Sequence, residues 1–144
     1  MRLYGQLSDA EIRDSLIYSN PTAGILLGTG IRAKILRNNI TKNGQGLICI
    51  SCDPLVDENI IHNNKKNGIV VQSIKDYVAF GTFTRNQITS NVRNGILCIG
   101  GYVFSKIYQN SMIGMNLKAG ICLKLGCHVG VVDNFISRNC DYFK

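Results

Sequence analysis

The chain has 144 residues, of which 45% are hydrophobic, and its formal net charge is +7. This length and hydrophobicity favour one domain with a packed core over a disordered segment. The chain has no run of 18 or more apolar residues and no apolar region near its start, so we expect neither a membrane span nor a secretory signal. The positive charge predicts an acidic partner.

The six cysteines lie mostly in apolar runs, as Cys49, Cys98 and Cys122 do. Without a signal peptide, we expect reduced thiols in a cytoplasmic protein and no disulfide framework. Cys49 and Cys52 have a spacing that zinc sites use, but residues three apart on a strand point to opposite faces unless a bend intervenes. We therefore predict that no metal is bound and that Cys49 and Cys98 are small core residues.

A repeating unit organises nearly the whole chain, from residue 10 to residue 139. Each unit begins with an asparagine or serine, and these anchors recur at intervals of 21–27 residues. The anchors are Ser15, Asn38, Asn59, Asn86, Asn110 and Asn134. Five residues after each anchor comes a second column, Asn20, Asn43, Asn64, Asn91, Met115 and Asn139. Such a period is typical of a solenoid, in which each unit buries its apolar face against the next.

Apolar columns accompany the asparagines. Two residues after the anchors are Ile17, Ile40, Ile61, Ile88, Met112 and Ile136, and three residues before them are Ile12, Ile35, Val56, Phe83, Ile107 and Val131. A glycine opens the last part of five units, at Gly24, Gly46, Gly68, Gly95 and Gly120. Because the two apolar columns are five residues apart, the chain must bend between them, which predicts short strands joined by corners rather than a helix.

The asparagines are predicted to be structural. Asparagine tolerates the left-handed corner conformation, and its amide can bond the backbone or the asparagine of the next coil. The pattern N-x-I-x-x-N followed by G-I or G-L resembles the right-handed parallel β-helix repeat of pectate-lyase-like proteins. It is similar to carbohydrate-binding and sugar-hydrolase-type modules and to the β-helix region of F-box adaptor proteins. The resemblance implies a single-stranded right-handed parallel β-helix, all-β, of about six coils.

We expect one β-helix domain over residues 1–144. Residues 1–9 would form a short N-terminal cap or lead-in, residues 10–139 the repeats, and residues 140–144 an incomplete last coil. Because neither end carries a substantial cap, we expect end-to-end contact with another chain, another copy or the rest of a longer protein.

No residue is predicted to be catalytic, and no cofactor is expected. The best acidic cluster is Asp53, Asp57 and Glu58. Glu58 also belongs to a column of alternating charge with Asp14, Arg37 and Arg85, which predicts a surface charge ladder between coils. Enzymatic activity is left open, with the balance against it.

Two features are predicted to contact protein partners with acidic surfaces. The first is a basic edge, consisting of Lys42, Lys65, Lys66, Arg93, Lys118 and Arg138. The second is the loop of the longest unit with nearby aromatic residues, consisting of Lys75, Tyr77, Tyr102 and Tyr108. Nucleic acid has the matching charge, but the chain lacks a reading motif.

These features predict a non-catalytic scaffold or protein-interaction module of a larger intracellular assembly. A cytoskeletal scaffold and a substrate-recognition adaptor are both consistent with the charge, and the resemblance offers adaptor proteins as a precedent. The alternative is a carbohydrate-active or carbohydrate-binding β-helix protein.

Overall fold

Three parallel β-sheets form a solenoid. The structure, a computed structural model, describes residues 1–3 and 9–140. Within these ranges the chain forms 18 strands and no helix, and every strand pairing is parallel. Three consecutive strands make one coil, so each strand pairs with the strands three before and three after it. The predicted all-β parallel solenoid of about six coils is confirmed.

Each sheet contains six short strands. Sheet A consists of β1 (Arg2–Leu3), β4 (Ala23–Leu27), β7 (Gln45–Ile50), β10 (Ile69–Gln72), β13 (Ile96–Ile99) and β16 (Ile121–Lys124). Sheet B consists of β2 (Asp9–Arg13), β5 (Arg32–Leu36), β8 (Leu55–Asp57), β11 (Thr82–Thr84), β14 (Lys106–Tyr108) and β17 (Gly130–Val132). Sheet C consists of β3 (Leu16–Tyr18), β6 (Asn39–Thr41), β9 (Ile60–His62), β12 (Gln87–Thr89), β15 (Met112–Gly114) and β18 (Ile136–Ser137).

The core runs along the solenoid axis and consists of like residues stacked on like. In sheet B, Ile35 pairs with Val56, which pairs with Phe83, and all three are fully buried. In sheet C, Ile40 pairs with Ile61 in the same way. A fully buried side chain of this size stabilises the fold by about 1.5–3 kcal/mol. The glycine column lies at the start of the strands of sheet A. A Cβ on Gly95 would be only 2.6 Å from the carbonyl oxygen of Gly120, so the coils are too close there for a larger residue.

Two of the predicted column members, Met112 and Met115, are wrong. Ile113 pairs with Ile88, and the side chain of Asn116 accepts a hydrogen bond from the backbone of Asn91. The reason is one extra residue, Ser111, at the corner after Asn110: the residue that follows it, Met112, pairs with Gln87. The corner absorbs the insertion, and the columns resume one residue later.

The asparagines brace the corners, but they do not adopt the left-handed conformation that we expected of them. That conformation belongs to the residue before each one. The six residues before the first column have φ of 50–56°, and the six before the second column have φ of 53–57°. Each costs about 1–2 kcal/mol for a residue with a Cβ. The hydrogen bonds of the asparagines next to them offset this cost.

The asparagine side chains form two continuous amide ladders. The backbone and side-chain nitrogens of Asn59 both donate to Oδ1 of Asn86, at 2.9 and 3.0 Å, and Asn86 donates onward to Asn110 at 3.1 Å. The second ladder repeats this pattern through Asn64 and Asn91. Further members are Asn38 and Asn134 in the first ladder, and Asn20, Asn43, Asn116 and Asn139 in the second. The ladders hold successive coils in register.

The predicted end regions are only partly described. The lead-in at 1–9 contributes Arg2–Leu3, which pairs with β4, and the strand β2 begins at Asp9. Residues 4–8 and 141–144 lie outside the described residues, so most of the lead-in and of the expected incomplete last coil does as well.

Candidate interaction surface

The corner between sheets C and A carries the predicted basic edge, which is here called the basic corner. Its six residues are Lys42, Lys65, Lys66, Arg93, Lys118 and Arg138, and all six side chains are exposed. Three of them are stacked on consecutive coils, because Lys118 donates its backbone N–H to Arg93 at 3.0 Å and Arg93 donates to Lys66 at 2.9 Å. The three positive charges therefore leave the backbone at intervals of about 4.8 Å.

The other three cations lie in neighbouring columns of the same corner. Lys42 and Arg138 occupy left-handed positions directly before the second asparagine ladder, and Lys65 follows that ladder. Lys42 and Lys65 also line a shallow groove of about 390 Å³ with Ser19 and Asn63. The structure thus brings the six predicted residues to one corner, although only three of them share one column.

A third amide ladder, which we did not predict, supports the basic corner. Asn94 donates its side-chain N–H to Asn67 at 2.9 Å, and Asn67 donates to Gln45 at 2.9 Å. Oδ1 of Asn94 accepts the backbone N–H of Ala119 at 3.2 Å. The repeated motif Asn-x-x-Asn-Gly, in residues 64–68 and 91–95, is the sequence signal from which this ladder could be predicted. Two-residue turns such as Val92-Arg93 are therefore held between amide ladders on both sides.

The acidic residues lie elsewhere. Eight of the nine acids belong to the described residues, and all eight lie on sheet B or at its two corners. They are Asp9, Glu11, Asp14, Asp53, Asp57, Glu58, Asp76 and Asp133. In the described part of the chain, none of the six cations of the basic corner forms an ion pair with an acid. Stacked like charges repel one another, so this column is costly for the fold.

The expected charge ladder at the corner between sheets B and C does contain ion pairs. Arg37 contacts both carboxylate oxygens of Asp14, at 2.8 and 3.0 Å, and this hydrogen bonding lowers the pKa of Asp14. Arg85 bonds Asp57 and lies 3.5 Å from Glu58. The hydrogen bond that Arg85 donates to the carboxylate of Asp57 raises the pKa of Arg85. The charges of Asp14, Arg37, Asp57, Glu58 and Arg85 are therefore paired, in contrast to those of the basic corner.

The predicted loop lies at the corner between sheets A and B. Tyr77 and Tyr102 are about half exposed on adjacent coils. Ser51 donates its hydroxyl to the carbonyl of Tyr77 at 3.2 Å, and Tyr102 donates its N–H to the Ser73 hydroxyl at 3.3 Å. Lys75 is exposed in the same loop. By contrast, Tyr108 is half-buried at the far end of β14, so the structure does not bring it to this loop.

An aromatic column that includes Phe80 and His128, which we did not predict, runs beside this loop. Phe104 stacks on His128 with ring centroids 5.1 Å apart and an interplanar angle of 9°, and Phe80 lies 6.3 Å from Phe104. Each ring lies two residues before a strand of sheet B, and this shared position is the sequence signal from which the column could be predicted. His128 covers one face of Phe104, but Phe80 and Phe104 remain 46% and 43% exposed, so the column is an accessible aromatic surface.

A charged groove lies on the outer face of sheet B in the first coils. Its volume is about 380 Å³, and its charged lining residues are Asp9, Glu11, Arg32, Lys34 and Asp53. Acids face bases across the strand pair, since Asp9 pairs with Arg32 and Glu11 with Lys34. Within the described residues, no three acids, histidines or cysteines converge as metal ligands do.

A bend does separate Cys49 from Cys52. Cys49 and Cys52 do not point to opposite faces, because the left-handed Ser51 between them turns the chain and both side chains are buried. Burial raises the pKa of Cys49, and it raises the pKa of Cys98 to about 12. These thiols are therefore protonated core groups at neutral pH.

Comparisons with known proteins identify a family and nothing narrower. A family model described as a right-handed beta helix region matches residues 1–112. Comparison with curated proteins and with solved structures gave no significant match. In the described part of the chain, no helix has the length and hydropathy needed to cross a bilayer.

Proposed function

We propose that this chain, which belongs to the right-handed β-helix family, is a non-catalytic interaction module that binds acidic protein surfaces through the basic corner. The family fixes the fold, which hosts scaffolds and carbohydrate-related proteins alike, so the site must decide the function. The observation that carries the proposal is the separation of charge among the described residues: the eight acids surround sheet B, while Lys66, Arg93 and Lys118 stack without an acidic neighbour from that part of the chain.

The electrostatic repulsion among the stacked cations Lys66, Arg93 and Lys118 destabilises the fold, and this supports a role for them in binding. A fold that needed only solubility could alternate charges between coils, as the column of Asp14 and Arg37 does. An acidic partner would relieve the repulsion within the basic corner and gain charge-assisted hydrogen bonds. On this proposal the protein is a scaffold or adaptor of a cytoplasmic assembly, and the cytoskeleton is one acidic lattice that it could serve.

The test is a charge reversal with a matched control. The corner variant carries Lys66→Glu, Arg93→Glu and Lys118→Glu, and the control variant carries Arg32→Glu, Lys34→Glu and Lys106→Glu on the outer face of sheet B. Both variants have the same net charge. Proteins captured from lysate by the wild type are identified by mass spectrometry, after circular dichroism has confirmed that each variant is folded.

The proposal predicts that acidic proteins are lost with the corner variant, retained with the control variant, and released from the wild type as salt rises. Equal recovery with the two variants would mean that the net charge, rather than the basic corner, governs binding.

Carbohydrate binding is the second candidate, and the charged groove of sheet B is the observation that favours it. Paired acids and bases such as Asp9 and Arg32 can hydrogen-bond sugar hydroxyls and uronic acid carboxylates. Titration of neutral and uronic acid oligosaccharides by calorimetry tests this candidate. A measurable affinity that Arg32→Ala weakens and Lys66→Ala leaves unchanged would support it, whereas no heat of binding with either sugar class would remove it.

A further inference from the structure

The basic corner is not uniformly charged. Val92 is 49% exposed and Met115 is 37% exposed, and Leu117 is half-buried beside them. Val92 directly precedes Arg93, and Leu117 directly precedes Lys118. Because Leu117 donates its backbone N–H to Asn91 at 3.0 Å, Val92 and Leu117 are stacked like the two cations next to them. On these two coils the corner therefore presents a short apolar strip beside the strip of positive charge, and Lys65 occupies the same column on the preceding coil.

Both strips stand on a rigid support. On one side, the second amide ladder links Asn64, Asn91 and Asn116 with hydrogen bonds of 2.9–3.1 Å. On the other side, the third ladder links Asn67 and Asn94. The turn between them has little freedom, so the distance between cations is fixed at the backbone. A surface held in this way loses less entropy when it binds.

The spacing of the cations selects the shape of the partner. From Lys66 to Lys118 the backbone rises two coils, about 9.6 Å. On an α-helix, acids at i, i+3 or i+4, and i+7 span about 10.5 Å on one side. On an extended chain, three side chains on one face span about 13 Å. The helix matches within about 1 Å, which flexible lysine and arginine side chains can accommodate.

Resting on the proposed function, we propose that the partner element is an acidic amphipathic α-helix, which lies along the solenoid axis with its acids on Lys66, Arg93 and Lys118. Its apolar stripe covers Val92, Leu117 and Met115. A polymer that offers only phosphates or sulfates would satisfy the cations but would leave the apolar strip open to water. The combination of both strips favours a helix over such a polyanion.

The experiment uses two synthetic peptides of identical composition and charge. Each has glutamates at i, i+4 and i+7 with leucines on the adjacent face. The first peptide carries its prolines at the two ends, where a helix tolerates them. The second carries the same prolines in the centre, and there they break the helix. Affinities for the full chain are measured by fluorescence anisotropy. We expect the helical peptide to bind at least tenfold more tightly and to become helical in circular dichroism.

Two variants separate the strips. Arg93→Ala should weaken binding about two- to fivefold and reduce its salt dependence. Val92→Ser should weaken binding to a similar degree and leave the salt dependence unchanged, which a purely electrostatic site would not show. Lys106→Ala, outside the corner, is the control and should bind like the wild type.

The outcomes distinguish this inference from the proposed function. Equal affinity for the two peptides would overturn the inference that the partner is helical, while an acidic partner would still be supported. The same conclusion would follow if neither peptide bound and the corner variant still lost acidic proteins. Tighter binding of a heparin fragment or an oligonucleotide, unaffected by Val92→Ser, would overturn both proposals in favour of a polyanion.

Discussion

Asn86 offers the most direct test of the amide ladders, because its side chain is fully buried and makes four hydrogen bonds. Its Oδ1 accepts from the backbone N–H and the side chain of Asn59, and its Nδ2 donates to the carbonyl of Val56 at 2.9 Å and to Asn110 at 3.1 Å. The change to test is Asn86→Ala, which removes all four bonds and adds no charge.

The expected loss follows from these contacts. The backbone N–H of Asn59 would be buried without an acceptor, which costs about 1–3 kcal/mol. Each of the other three hydrogen bonds contributes about 0.5–1.5 kcal/mol. We therefore expect Asn86→Ala to lower the free energy of unfolding by about 2.5–7.5 kcal/mol. Asn39→Ala is the control, because Asn39 is exposed and outside the ladders, and it should cost about 0.5 kcal/mol or less.

Urea unfolding followed by far-ultraviolet circular dichroism measures both variants, and since the chain has no tryptophan, fluorescence is less informative. Hydrogen exchange adds a local readout, because the amide of Asn59 should lose protection before that of distant coils. If Asn86→Ala unfolds at the same urea concentration as Asn39→Ala, the ladders do not carry the stability that is assigned to them here.

Three further predictions concern the core. Ile61→Asp should prevent folding, because Ile61 is fully buried in sheet C and an unpaired carboxylate there has no partner; a soluble variant with a cooperative melting transition would contradict the column assignment. Gly95→Ala should lower the free energy of unfolding by about 1–3 kcal/mol because its Cβ would clash with the backbone of Gly120, whereas Gly130→Ala, with open space around it, should unfold like the wild type in the same urea assay. Cys98, whose pKa burial raises to about 12, should resist iodoacetamide at pH 8 while exposed Cys140 reacts; mass spectrometry would show equal labelling of the two if Cys98 were not in the core.

The fold could be predicted from the sequence because stacking repeats the same environment in every coil. Ile35, Val56 and Phe83 face the same interior, so the same class of residue recurs at the same place. The fifth coil was read one residue out of register because a fixed interval cannot reveal Ser111. An inserted residue is visible only when the structure shows that Asn116, and not Met115, continues the ladder.

The candidate site was only partly predictable. Charge along the sequence indicated which corner is basic, but the order of its columns depends on backbone pairing, as between Arg93 and Lys118. Propensity alone assigns the left-handed corners to the asparagines, whereas the structure places Arg37 and Lys42 in that conformation. The asparagine after each of these residues imposes the left-handed conformation, because hydrogen bonds to neighbouring coils hold that asparagine in place. Local propensity was overruled by contacts between coils.

The amide ladders give the solenoid a direction. In the two ladders that contain Asn86 and Asn91, every hydrogen bond between side-chain amides is donated to the asparagine of the following coil, whereas Asn94 and Asn67 donate to the amide of the preceding coil. The orientation of each amide is fixed by the backbone N–H that shares its oxygen, as when Asn59 bonds Asn86. Aligned amides polarise one another, and the opposed ladder compensates part of their dipole. A coil can therefore be duplicated or removed only as a whole and in its original sense, which makes the coil the unit in which this protein could be lengthened by evolution or by design.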